Sequence, residues 1–220
     1  IHSYGETLEA MPRYRGDDFN EQVLEDSRER QRQIIKKASQ EPYFGRLDFK
    51  EYSQEESTPL YIGKAGVHDE KTGDVLVMDW RAPVSSLFYA FSGSEEDVYY
   101  VAPEGVVDGT IGLKRNIMIR EQELQRVVDS YKQGESTSSG GDEFLLYKLG
   151  EQKDNRLQDI VSTIQGEQNE IIRHPQNKAV IIQGVAGSGK TTVALHRLAY
   201  LLYEYREQIQ AENMIIFAPN

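Results

Sequence analysis

A glycine-rich loop between two short apolar runs constrains the fold of this chain more than any other feature. The first run covers residues 178–183 (KAVIIQ) and the second covers 214–217 (MIIF). Between them, after the loop, apolar residues recur at helical spacing; they are Val193, Ala194, Leu198, Leu201, Leu202 and Tyr205. Short apolar runs of this kind are typical of buried parallel strands. The order strand, glycine loop, helix, strand therefore predicts the start of a parallel α/β sheet.

The loop itself predicts a nucleotide phosphate site. Residues 184–191 (GVAGSGKT) match G-x-x-x-x-G-K-[ST], a pattern whose backbone N–H groups and following helix face an anion. Lys190 is expected to reach the β- and γ-phosphates, and the Thr191 hydroxyl to ligate Mg²⁺. We therefore expect ATP and Mg²⁺ as cofactors, with Lys190 and Thr191 in the catalytic roles. The predicted binding set from the loop is Gly184, Val185, Ala186, Gly187, Ser188, Gly189, Lys190, Thr191 and Thr192.

Composition limits the compartment and the partners. The chain has 220 residues and no cysteine, which excludes disulfides and favours a reducing, cytoplasmic location. No apolar run is long enough to span a membrane. The formal net charge is −11, and Lys and Arg do not cluster as a nucleic-acid surface requires. We therefore expect these residues to contact a protein partner or a small ligand, with DNA bound mainly by parts outside this sequence.

The pattern predicts four segments. Residues 1–41 form a polar helical arm whose helix runs from 17 to 40 and begins at a capping box of Asp18 and Glu21. Residues 42–134 form a small, mostly antiparallel β module followed by a helix over 121–133. Residues 135–141 (ESTSSGG) are a flexible linker, and 142–220 begin the nucleotide-binding domain. The helix of this arm is either one of the two helices of a projecting hairpin or a solvated helix on the domain surface.

The string 79–83 (DWRAP) contains the only Trp of the chain. One interpretation makes Trp80 a core anchor, with Asp79 and Arg81 fixing a turn. The alternative is a ligand contact. Sequence alone favours the structural interpretation, because large aromatic side chains contribute strongly to protein cores.

Residues 163–168 (TIQGEQ) narrow the class of nucleotide. In helicases related to UvrD and Rep, a similar segment places a glutamine against the adenine edge, and Gln168 occupies that position here. A side-chain amide donates and accepts at once, so it matches the N6 donor and N7 acceptor of adenine. The alternative is that Gln168 is an exposed helix residue without a ligand.

Several strings in the same order extend this resemblance over nearly the whole chain. They are PYFGRLDF, YIGKAG, DWRAP, LKRN, DEFLLYKLG, STIQGEQNEIIR, the loop with its helix, and IIFAPN. Together they resemble the HelD, helicase IV-like branch of helicase superfamily one. The resemblance implies an ATP-driven motor that binds bacterial RNA polymerase, displaces nucleic acid and helps to recycle stalled complexes. It also implies an N-terminal antiparallel coiled coil, of which the helix over 17–40 would be the end.

The sequence departs from the UvrD pattern after the loop. Thr192 stands where many UvrD-like members carry an arginine near the nucleotide, which puts purine stacking at this position in doubt. Arg197 is expected to pack or pair within the domain instead of contacting nucleotide. The predicted fold class is thus α/β: the start of a RecA-like P-loop domain, preceded by a polar helix and a β module.

The predicted function is the ATP-binding N-terminal part of a HelD-like motor. Hydrolysis by such a motor also needs an acidic pair and arginines of a second domain, and none is assignable up to residue 220. We therefore expect a fragment that is inactive on its own. The alternative is a non-catalytic scaffold that binds RNA polymerase. A signalling GTPase is disfavoured because no guanine-specific element is recognisable.

Overall fold

A mixed sheet of seven strands forms the centre of the computed structural model. The structure describes residues 10, 13–14, 16, 18–69, 72–135, 140–151 and 160–217. The strands are β1 Gly45–Glu51, β2 Thr58–Gly63, β3 Val67–His68, β4 Val75–Asp79, β5 Val98–Ala102, β6 Gly105–Arg120 and β7 Glu123–Lys132. The helices are α1 Phe19–Gln40, α2 Ser86–Ala90, α3 Gly140–Glu151, α4 Gly166–Arg173 and α5 Lys190–Glu204. Short 3₁₀ turns cover Pro83–Ser85, Val161–Thr163 and Ala211–Asn213.

The sheet has the order β3-β4-β2-β1-β6-β5, and β7 also pairs with β6. β1 is antiparallel to β2 and β6, and β6 is antiparallel to β5 and β7. β2 and β4 run parallel, with Ile62 opposite Met78 and Gly63 opposite Asp79. The prediction of a mostly antiparallel module is therefore corrected to a mixed sheet. The reason is that β3 pairs antiparallel with β4, so the chain reverses twice before β4 enters beside β2.

The helix predicted over 121–133 is wrong, because this segment forms β7. Glu121 and Gln122 have φ values of 49° and 69°, which is the left-handed geometry of a tight two-residue hairpin turn. Across the hairpin, Arg115 donates to Asp129 from Nε at 2.5 Å and from Nη2 at 2.9 Å. Pairing with the long strand β6 overrides the helical composition of the segment.

The structure describes parts of the predicted arm over 1–41 and of the predicted linker over 135–141. In α1 the Glu21 backbone N–H donates to Asp18 Oδ1 at 3.1 Å, which confirms Asp18 as the cap. The other half of the predicted capping box is not formed, because the Asp18 backbone N–H donates to the Tyr14 hydroxyl at 3.2 Å. Ala38, near the end of α1, packs with Val67 and Val77, whereas Phe19 at its start is 75% exposed. Helix α3 begins inside the predicted linker, of which residues 136–139 lie outside the described part.

No helix in the described ranges combines the length and apolar character needed to cross a lipid bilayer.

The two strands predicted beside the glycine loop are also wrong. Residues 178–183 and 214–217 are irregular in the structure, and Ile181 and Phe217 are 93% and 92% exposed. A strand exists through hydrogen bonds to a neighbouring strand, and neither run has such a neighbour among the described residues. The structure therefore does not confirm the RecA-like sheet.

One hydrophobic core joins the sheet to the helices around the loop. Phe44, Leu47 and Trp80 from the β module belong to the same buried cluster as Ile172 of α4 and Val193 of α5. Because α5 begins at the glycine loop, this shared core fixes the loop against the β module.

Candidate phosphate-binding site

Two glycines of the loop are required by its backbone geometry. Gly187 and Gly189 have φ values of 79° and 80°, a region that L side chains rarely adopt. A Cβ on Gly184 would lie 2.7 Å from Ser188 Oγ. Gly189 is the N-cap of α5, whose first helical residue is Lys190. The loop thus turns tightly and ends at the positive end of a helix.

Lys190 closes the loop from the inside. Its ammonium group donates to Gly184 O at 3.0 Å, to Val185 O at 2.7 Å and to Ser188 Oγ at 3.5 Å. All three acceptors are neutral, and a phosphate oxygen would be a stronger, charge-assisted acceptor for the same ammonium. The residues present therefore fit a phosphate group.

The remaining predicted loop residues face solvent to different degrees. Val185, Ala186 and Thr191 are exposed, and Thr192 is half-buried. The carbonyl oxygen of Thr192 lies 2.8 Å from Nδ1 of His196 one turn later. The Thr191 hydroxyl is thus placed in the first turn of α5 and open to a ligand.

Gln168 has a structural role that sequence reasoning missed. Its Oε1 accepts the backbone N–H of Gln165 at 3.0 Å, while the Gln165 side chain caps the backbone of Gln168. This reciprocal pair is a capping box at the start of α4. A glutamine three residues after the N-cap was the available signal. Among the described residues the amide nitrogen of Gln168 has no hydrogen-bond partner.

The string 79–83 forms an ordered turn, as the structural interpretation predicts. Asp79 Oδ1 accepts the Arg81 backbone N–H at 2.9 Å and Arg81 Nε at 2.8 Å, and Oδ2 accepts Nη2 at 2.6 Å. Ser85 Oγ donates to Asp79 O at 2.7 Å. Burial acts to lower the pKa of Arg81, but hydrogen bonding and attraction to Asp79 outweigh it and raise the pKa. Trp80 is only 5% exposed.

This 79–83 turn contacts the helix that carries the loop. The Trp80 ring meets His196 edge-on with centroids 5.9 Å apart, and the Arg81 guanidinium lies 4.7 Å from the centroid of Tyr203. Arg173 of α4 donates to Trp80 O at 2.7 Å and to Arg81 O at 3.0 Å. The turn therefore supports both α4 and α5.

Arg173 and Arg197 also hold α4 and α5 in place. The sequence predicts the location of Arg197 but not that of Arg173. Arg173 donates from Nε to Asn169 Oδ1 at 2.9 Å, lies 5.1 Å from the Tyr200 ring centroid, and has a pKa lowered by burial. Arg197 donates to the last carbonyls of α4, including Ile171 O at 3.1 Å. This confirms the expectation that Arg197 pairs within the domain. No local pattern identifies Arg173, because its carbonyl acceptors are distant in sequence.

Two family models match successive stretches of the chain. The family model described as "DNA helicase IV HelD, N-terminal domain" matches residues 3–142, which is more than half of the chain. The chain belongs to the HelD family. The model described as "UvrD/REP helicase N-terminal domain" matches residues 164–218 of this HelD chain, a stretch that includes Gln168 and the glycine loop. A comparison with curated proteins finds no match.

In this HelD chain the two matched stretches are packed together. The 79–83 turn lies in the first, and its partners Arg173, His196 and Tyr203 lie in the second. The β module within the first matched stretch therefore supports the second matched stretch structurally.

Proposed function

We propose that residues 184–191 bind the phosphates of ATP together with Mg²⁺, and that this HelD chain supplies the nucleotide-binding part of an ATP-driven motor. The observation that carries the proposal is the position of Lys190 at the N-terminus of α5. Its ammonium donates hydrogen bonds to the backbone oxygens of Gly184 and Val185 in the loop. Lys190 would hold the β- and γ-phosphates, and Thr191 would hold Mg²⁺. The bound nucleotide supplies the free energy of phosphoryl transfer to water.

Gln168 is proposed to recognise the adenine base. Its Oε1 already accepts one backbone N–H, and a carbonyl oxygen has a second lone pair for the adenine N6–H. Its amide nitrogen is available for adenine N7. The capping box holds the amide in one orientation, which is what discrimination against guanine requires.

The partner and the work performed are proposed from the family. Membership of HelD supports displacement of nucleic acid and binding to RNA polymerase in the cytoplasm. The long polar helix α1 is consistent with an element that contacts a protein, because Phe19, Val23 and Leu24 are exposed at its N-terminal part.

The binding claim is tested by titrating ATP with Mg²⁺ into this chain in a calorimeter. Lys190→Ala should weaken binding by at least about tenfold, since a charge-assisted hydrogen bond contributes roughly 1.5–3 kcal/mol. Lys178→Ala is the matched control, because Lys178 is exposed outside the loop. Equal affinities of wild type and Lys190→Ala would refute the phosphate site.

The motor claim is tested in the intact protein. ATP turnover in the presence of RNA polymerase, and release of nucleic acid from the polymerase, should both be lost in Lys190→Ala. Release that persists without turnover would instead support the alternative of a non-catalytic scaffold.

A further inference from the structure

A half-open cavity of about 410 Å³ lies away from the glycine loop, between β6, β7, α2, the start of α3 and residues 162–166. Its lining includes the polar residues Lys114, Asn116 and Ser130 and the aromatic residues Phe88, Tyr131 and Phe144. We propose that this cavity binds a small planar anion: an aromatic ring that carries a carboxylate or a phosphate group. Neither the glycine loop nor Gln168 lines it, whereas Gln165 and Gly166 at the start of α4 do.

The first argument is the charge of Lys114. Its ammonium donates to Phe91 O at 2.7 Å and lies 5.4 Å from the Phe88 ring centroid. In the part of the chain that the structure describes, no carboxylate forms an ion pair with it. Burial lowers the pKa of Lys114 to about 8, against a partly opposing attraction from Glu95. A partly buried cation without a paired anion is unfavourable, and an anionic ligand would reduce that cost.

The second argument is the spacing along β6. Lys114 and Asn116 are two residues apart on one strand, so both side chains face the cavity side of the sheet. Arg115 between them pairs with Asp129. Asn116 is 6% exposed and donates to Ser130 Oγ. The string LKRN has no role in the proposed ATP site, and it supplies two polar residues of the cavity lining.

The third argument is the aromatic part of the cavity lining. Phe88 and Phe144 are buried, and Tyr131 meets Phe91 edge-on with ring centroids 4.8 Å apart. Walls of aromatic rings beside a few polar groups are typical of sites for flat ligands. The first residue of α4, Gly166, also lines the cavity, and the positive end of a helix favours an anion there.

The charges around the site allow one anionic group near Lys114. Asp142 lines the cavity at the exposed start of α3, and Glu95 acts on Lys114 from the loop before β5. A second negative group placed near Asp142 would be repelled. The expected ligand therefore carries its charge at one end and its ring at the other.

The test uses four probes titrated into this chain at pH 7: benzoate, phenyl phosphate, neutral benzamide and inorganic phosphate. Benzoate and phenyl phosphate should bind at least about tenfold more tightly than benzamide and than inorganic phosphate, since the site needs both the charge and the ring. Lys114→Met should abolish the preference for benzoate over benzamide. Lys132→Met, which removes an exposed lysine on β7, should not change it.

A labelling experiment on the wild-type chain keeps the proposal testable if Lys114→Met does not fold. Acetylation by an amine-directed reagent is followed at each lysine by mass spectrometry near pH 8. Benzoate should slow acetylation of Lys114 several-fold and leave Lys132 unchanged, because the bound anion keeps the Lys114 ammonium protonated and covered. Equal affinities for benzoate and benzamide, equal affinities for the two phosphates, or unprotected Lys114 would each overturn the proposal.

Discussion

At the scale of single residues, Gln168 combines a structural and a proposed recognition role, and the two can be separated. Gln168→Ala removes both the cap and the amide, so the free energy of unfolding should fall by about 1 kcal/mol and ATP binding should weaken roughly five- to hundredfold. Gln168→Glu keeps an acceptor three residues after the N-cap, so stability should be retained. It removes the donor to adenine N7, so the preference for ATP over GTP should still be lost.

The measurement is the ratio of ATP to GTP affinity in the three proteins, together with urea unfolding of each. A Gln168→Glu protein that keeps the wild-type ratio would restrict Gln168 to the capping box and remove it from the proposed adenine site.

Arg81 is the second residue whose removal has a predictable outcome. Arg81→Met leaves the Asp79 carboxylate, which is 7% exposed, without its guanidinium partner. Breaking a buried ion pair at one partner typically costs about 3–5 kcal/mol; Arg81 is partly exposed, so we expect a loss of about 2–3 kcal/mol in the free energy of unfolding. Arg46→Met is the control, because its bond to Asp48 lies at a more exposed position of β1. Equal losses in the two variants would contradict the special role of the 79–83 turn.

Residues with a local signal were predictable and residues with distant partners were not. The three loop glycines, Lys190 and the core position of Trp80 follow from pattern and residue type. Arg173 does not, because its acceptors Trp80 O and Arg81 O are supplied by another part of the fold.

At the scale of elements, the β6–β7 hairpin contains a strained turn that can be relieved. Glu121 and Gln122 both have positive φ, for which Asn-Gly is the favoured pair. The double substitution Glu121→Asn with Gln122→Gly should raise the free energy of unfolding by about 1–2 kcal/mol. Urea unfolding at fixed pH measures it. The same pair placed at Ser53 and Gln54, which lie outside positive φ, should not stabilise the protein.

The elements that sequence misassigned share a physical cause. Residues 121–133 have a helical composition but become β7 because β6 offers sixteen residues of strand for pairing. Residues 178–183 have a strand composition but lack a neighbouring strand in the described part of the chain. Strand formation depends on what lies beside a segment, which its own residues do not encode.

At the scale of the whole molecule, the shared core predicts a single unfolding transition. The β module and helices α4 and α5 contribute to one buried cluster, so neither should remain folded alone. Fluorescence of the only Trp, Trp80, and far-UV circular dichroism should therefore give the same urea midpoint. Two separated midpoints would show that the stretches matched by the two family models fold independently.

The contact between Trp80 O and Arg173 has a consequence for synthesis on the ribosome. The two residues are 93 positions apart, and translation proceeds at about 5–20 residues per second. The 79–83 turn therefore emerges roughly 5–20 seconds before Arg173 of the helix that covers it. During that interval the indole of Trp80 has no α5 to pack against, which makes the nascent chain a substrate for chaperones that bind exposed aromatic side chains.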